Sequence, residues 1–201
     1  MKHIAYPSDL TYILAYYFDD FLGRGASGSG TNNIWTSSSA CEYLIGGIGG
    51  QMRIYSPSSA GTYTYCYHAA LWMSAAANSE ISWRVKLSSA TDIAVQIGLF
   101  YSTSIYVCFL LDTSSSANIQ FVCKSTSTTT VGSGVAISTG WHEYKINMST
   151  GACVFTIDGV KFAPITTNIT ANLVSPRFGI KTLVSRRYVY ADWVEAFCNR
   201  A

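Results

Sequence analysis

Apolar and polar residues alternate with a two-residue period through most of the chain, which is the mark of strands buried on one side only. In residues 80–88, Ile81, Trp83, Val85 and Leu87 fall on one side, and Ser82, Arg84 and Lys86 on the other. Ile93, Val95, Ile97 and Leu99 repeat the pattern. Strands over 104–111 and 118–124 follow, with 112–117 as their turn. Residues 141–162 (WHEYKINMSTGACVFTIDGVKF) predict three consecutive antiparallel strands. Tyr144 and Ile146 alternate there with Glu143, Lys145 and Asn147, a turn sits at 149–151, and 154–157 runs into Asp158-Gly159. That dipeptide accepts the positive φ angles of a type I′ hairpin, and 160–162 returns. Residues 125–133 are too polar for a core element and suit an edge strand or an exposed loop. A long connection over 163–174 leads to final strands at 177–182 and 188–197.

The first third is less regular. Residues 1–17 form an N-terminal arm or first strand: Ser8-Asp9 suits a helix cap, while 12–18 suits a strand. Residues 23–33 (GRGASGSGTNN) form an exposed loop. No GxGxxG or GxxxxGK[ST] run opens a helix there, so it is no phosphate cradle. Short strands at 40–45 and 51–55 flank a glycine-rich turn. Tyr63, Tyr65 and Tyr67 alternate with Thr64, Cys66 and His68, placing three phenol rings on one face. Such a row is either the rim of a core with cross-strand pairs or a sugar-binding surface, since pyranose C–H faces pack on rings. Trp35 and Trp72 carry the same two readings. The total is roughly eleven to fourteen strands with hardly a helix. Strands with one apolar face each pair their sheets face to face, so the expected fold is all-β, an antiparallel two-sheet β-sandwich or jelly roll, with residues 18–201 as a single domain.

Composition narrows the function classes. The 201 residues hold 13 Lys and Arg against 11 Asp and Glu, a net charge of +2, with only 12% charged residues. No basic run exceeds Arg186-Arg187, which excludes an electrostatic nucleic-acid footprint. No apolar run is long enough for a transmembrane helix. Asp9 interrupts the N-terminal apolar segment, so no secretory signal is expected. The six cysteines lack metal-ligand spacing and read as small buried hydrophobes or, alternatively, as disulfide partners.

Candidate chemistry is sparse. Glu42, Glu80, Glu143 and Glu195 are isolated, and Asp192 and Glu195, three apart in a strand, are expected on opposite faces. No GxSxG elbow anchors a Ser/His/Asp triad, no DxDxDG calcium loop occurs, and no metal or cofactor is expected. The carbohydrate-binding candidates are Tyr63, Tyr65 and Trp72.

Asp19-Asp20-Phe21, 80–87, Ile97-Gly98-Leu99-Phe100, 141–146, Phe155-Thr-Ile-Asp-Gly159 and Tyr190-Ala-Asp-Trp-Val194 form an ordered set. In order and spacing this set resembles the concanavalin A-like lectin/glucanase sandwich of the kind found in bacteriophage virion proteins. Glucanases of this fold place paired carboxylates on one strand as ExDxxE, about 5–5.5 Å apart for a retaining mechanism. That pattern is absent here. The resemblance therefore implies a non-catalytic virion structural protein, not an enzyme, serving as capsid decoration or as a head-fiber or tail component. Its partners would be capsid or tail proteins and its own copies, as a homotrimer, assembled in the host cytoplasm. The alternative is a carbohydrate-binding module that attaches to a host-surface glycan.

Overall fold

The computed structural model describes residues 14–19, 35–37, 41–44, 51–56, 61–68 and 72–199. Residues 1–13 and the glycine-rich stretch 23–33 lie outside them, as do the side chains of Asp19, Trp35 and Cys41. Among the described residues are fifteen strands and no helix. The first five are β1 (Leu14–Asp19), β2 (Trp35–Ser37), β3 (Cys41–Leu44), β4 (Gln51–Tyr55) and β5 (Tyr63–His68). Then come β6 (Ser79–Leu87), β7 (Ile93–Phe100), β8 (Tyr106–Asp112), β9 (Asn118–Lys124) and β10 (Thr128–Ala136). The last five are β11 (Trp141–Met148), β12 (Cys153–Ile157), β13 (Val160–Lys161), β14 (Ser175–Thr182) and β15 (Tyr188–Asn199).

They form two antiparallel sheets. The eight-stranded sheet runs β13-β12-β11-β6-β15-β4-β3, with β1 pairing the C-terminal half of β15. The seven-stranded sheet runs β10-β9-β8-β7-β14-β5-β2. The all-β sandwich expected from the alternation is therefore the fold. The strand total exceeds the expectation because short pairings, such as the three-residue β2, carry little apolar signal.

The inner faces mesh through aromatic rings. Trp83 of β6 meets Phe178 of β14 edge-on at 6.0 Å. Phe109 of β8 meets Phe155 of β12 at 5.1 Å and Tyr144 of β11 at 5.0 Å, while Phe121 of β9 stacks on Phe155 at 4.7 Å. All of these rings are buried. Offset and edge-on rings in such a cluster contribute about 0.5–1.5 kcal/mol per pair beyond the area they bury. The 141–162 meander forms as its pattern predicts: Asp158 and Gly159 take φ values of 50° and 80° in the β12–β13 turn.

Polar residues end up where pairing stops. β10 is the edge of its sheet, and most of its side chains are exposed. Cys108, Cys123 and Cys153 are buried free thiols, and Cys66 and Cys198 are buried as well, so the five cysteines with described side chains sit as small hydrophobes in the interior. The neighbouring Cys123 side chain, and then burial, push the Cys153 thiol upward, keeping it protonated and unreactive.

One expectation about faces is wrong. The register between β15 and β6 slips between Ala191 and Trp193, and this bulge inserts one residue into the alternation. Ala191 and Val194 both point to the core, so Asp192 and Glu195 share the outer face of the eight-stranded sheet. There Asp192 pairs with Arg84 at 2.8 Å.

Candidate functional site

The outer face of the seven-stranded sheet is built by register. Opposite Tyr67, Tyr65 and Tyr63 on β5 stand Arg177, Gly179 and Lys181 on β14. Next to these come Gly98, Gln96 and Ala94 on β7, then Cys108, Leu110 and Asp112 on β8. Ser175, Phe100 and Tyr106 extend the surface at one end. Phe100, Cys108 and Val122 form an apolar cluster of their own here, separate from the sandwich core, with Tyr106 and Leu110 packed against it. A sheet with a second apolar cluster on its outer face is more than a solvated back wall.

The tyrosines recline on this surface. A Cβ at Gly179 would lie 2.5 Å from Tyr65 Cε1 and 3.3 Å from Tyr63 Cδ1, so the glycine is the floor on which the rings rest. Tyr63 and Tyr65 stack at 5.5 Å, and the Tyr65 hydroxyl donates to Gln96 Oε1 at 3.3 Å. Burial, then the Asp112 carboxylate, pushes the Tyr63 phenol far above its ordinary range. Burial raises Tyr65 as well, opposed by the neighbouring Arg177 cation.

Beside them lies a cleft of about 430 Å³ lined by Tyr67, His68, Phe100, Tyr101, Ser102, Thr103, Ser175 and Arg177. Arg177 commands it. Its guanidinium carbon is 3.3 Å from the Tyr65 ring centre, 5.1 Å from that of Phe100 and 5.7 Å from that of Tyr67. Burial lowers its pKa, the two tyrosines raising it in turn. Its Nε is buried without a hydrogen-bond partner among the described residues. On the cleft rim Tyr101, in the β7–β8 turn, is 50% exposed and offers an open ring. Two hydroxyls, Ser102 and Thr103, follow it.

The residues singled out in the sequence meet this site unevenly. Tyr63 and Tyr65 lie on the right face but beside the cleft, engaged with each other and with the β14 side chains. Trp72 does not line the cleft: it packs against the main core cluster and meets the lining residue His68 edge-on at 6.1 Å. Arg177, Tyr101, Ser102 and Thr103 were missed. For Arg177 the signal was present, since Arg177, Gly179 and Lys181 alternate with Phe178 and Ile180 and so project outward together. The Tyr101 turn carries no such pattern.

A second constellation is also invisible in the sequence. Ser138 Oγ and His142 Nε2 lie 2.5 Å apart, and His142 Nδ1 is 2.6 Å from Asp158 Oδ2. This is the connectivity of a Ser/His/Asp relay, but its surroundings are those of a clasp. Asp158 is half exposed and accepts the Glu143 N–H, and the Gly140 N–H donates to Ser138 Oγ itself instead of facing a developing oxyanion. The three side chains tie the β10–β11 turn to the β12–β13 hairpin. Among the described residues no group of His, Cys, Asp or Glu side chains is arranged to hold a metal ion, and no helix is long and apolar enough to cross a membrane.

No known protein family and no curated protein matches the sequence. Solved structures do match the fold. A β-glucanase of Bacillus licheniformis superposes with a TM-score of 0.64 at 12% identity, covering 92% of this chain and 98% of its own. A β-1,3-glucanase of Mycobacterium marinum gives 0.65 at 14% identity, covering 92% and 98%. A protein of unknown function from Shewanella oneidensis gives 0.67 at 18% identity, covering 94% and 89%.

These similarities overturn two expectations. Most of the similar structures are glucanases and other glycoside hydrolases, and none is linked to a phage particle, so the reading as a virion structural protein, capsid decoration or fiber trimer is corrected. The reading as a non-enzyme falls with it, because it rested on the missing one-strand carboxylate pattern, whereas the fold is shared with hydrolases. The physical reason lies in the motifs themselves. Trp83, Tyr144, Phe155 and Val194 are all core residues, so the ordered set encodes the sandwich and says nothing of a virion. The chain is a concanavalin A-like jelly roll of the architecture seen in β-glucanases.

Proposed function

We propose that this chain is a carbohydrate-active sandwich that engages a glycan at the cleft beside Arg177, on the outer face of the seven-stranded sheet. The observation that carries this reading is the composition of the cleft. An exposed ring at Tyr101, the hydroxyls of Ser102, Thr103 and Ser175, and a guanidinium converge on about 430 Å³ of open space. Rings take the C–H faces of a pyranose while hydroxyls and guanidinium exchange hydrogen bonds with its polar edge. The names of the similar glucanases support the same substrate class.

The test is binding to a panel of soluble polysaccharides by affinity electrophoresis and calorimetry. Wild type should be retarded by at least one glycan, and Tyr101→Ala should weaken that binding about tenfold, the loss of one stacked ring. No retardation by any polysaccharide would remove the reading. Hydrolysis is a second reading, favoured by the names of the similar structures. It requires two carboxylates, and Asp112 is the one on the strands of this sheet, where its Oδ1 accepts from Ser114 N at 3.0 Å. Release of reducing ends that disappears in Asp112→Asn would favour it, and no release from any polysaccharide would remove it.

A further inference from the structure

The cleft contains a cation with no carboxylate partner among the described residues. Arg177 stands in a half-buried position among three rings, and its guanidinium has neither an ion pair nor a hydrogen bond among the described residues. Of the other basic groups of this sheet and its connections, Lys124 and Arg186 also lie over rings, those of Tyr106 and Tyr55, but they do not line the cleft. Lys181 lies 4.0 Å from Asp112 and Arg187 pairs with Asp92 at 3.3 Å. The described residues of the cleft lining include no carboxylate. A guanidinium removed from bulk water and stacked on a ring keeps its in-plane N–H donors available, and a planar anion satisfies them with two parallel hydrogen bonds.

We propose that the glycan taken by this cleft is acidic, with a carboxylate or sulfate substituent seated on Arg177 while its pyranose ring packs on Tyr101. This rests on the glycan reading above and sharpens it. The rings around Arg177 fix the plane of the fork, so its recognition is geometric as well as electrostatic. Ser102, Thr103 and Ser175 supply neutral donors to the remaining oxygens.

The experiment compares three soluble polymers, alginate (uronate carboxylates), a sulfated galactan and barley β-glucan (neutral), against wild type, Arg177→Gln, Arg177→Lys and Lys161→Gln. Lys161 is exposed on β13, in the other sheet, and serves as a charge control. Each variant is first checked for an unchanged near-ultraviolet circular dichroism spectrum. Expected is binding to an acidic polymer that weakens about ten- to a hundredfold in Arg177→Gln, as loss of a charge-assisted hydrogen-bond pair does. Arg177→Lys keeps the charge without the fork and should recover only part of the affinity. Lys161→Gln should bind as wild type. Alginate and the galactan separate the carboxylate from the sulfate source.

Binding to barley β-glucan alone, unchanged in Arg177→Gln, would overturn the acidic specificity and leave the glycan reading standing. Equal weakening in Arg177→Gln and Lys161→Gln would overturn it too, by showing general charge attraction. Binding to none of the three polymers nor to the wider panel would remove both.

Discussion

Gly179 and Gly98 are small at positions where a Cβ would collide with a neighbour, and the obstacles they avoid differ. At Gly179 an added methyl meets the Tyr65 ring, the far end of a side chain that can tilt. At Gly98 it meets the Val107 carbonyl oxygen and Cys108 Cα, which belong to the backbone of β8. Gly179→Ala should therefore cost about 1–3 kcal/mol and displace the rings that orient Arg177. Gly98→Ala should cost more, because a central strand has to separate from its neighbour. Urea unfolding of the two variants checks the order, and equal midpoints would refute it. At this scale the sequence was legible in part. The Tyr63, Tyr65 and Tyr67 face followed from alternation alone, but which ring stays open to a ligand depends on what lies across the strands. Tyr65 is engaged by Arg177, which stands 112 positions later (177 − 65) and reaches it through the β5–β14 register.

Among the elements, the β11–β12–β13 meander was the most readable because its instructions are local. Strand alternation and Asp158-Gly159 suffice, and only the Ser138–His142–Asp158 clasp draws on a neighbouring turn. Gly159 holds a φ of 80°, where a side chain is strained, whereas Gly151 shows no positive φ and has open space where a Cβ would stand. Gly159→Ala should lower stability by about 1 kcal/mol or more, while Gly151→Ala should be neutral or slightly stabilising. Thermal melts of the pair decide it, and a loss in Gly151→Ala as large as in Gly159→Ala would contradict the turn assignment. β15 shows the opposite case. Its bulge moves Asp192 to the same face as Glu195, and nothing in Tyr-Ala-Asp-Trp-Val announces it. A bulge is fixed by the pairing of β15 with β6, so a strand read in isolation is assigned an unbroken phase.

The whole molecule has an alkaline limit written into its tyrosines. Burial pushes Tyr106 up to about 12, and burial also raises Tyr63, Tyr65 and Tyr144. In the unfolded chain these phenols ionise near pH 10. Between about pH 10 and the higher folded values, the unfolded state therefore binds fewer protons than the folded one, and stability falls as pH rises. Below about pH 10 this contribution is present in full. The thermal midpoint should be flat toward pH 9 and drop above it, less steeply in Tyr106→Phe, whereas a midpoint that rises above pH 10 would refute the assignment. The sequence by itself determined the all-β class, the main strands and, β15 apart, the buried sides it assigned, because each rests on a two-residue period and on local turn chemistry. The same core positions drew the virion comparison, since apolar alternation is common to every sandwich of this kind whatever it does. Only the tertiary structure decided the order of strands, the bulge in β15, and the meeting of Tyr101, Ser175 and Arg177 in one cleft. Those depend on pairing between segments tens of residues apart, and no local pattern carries that information.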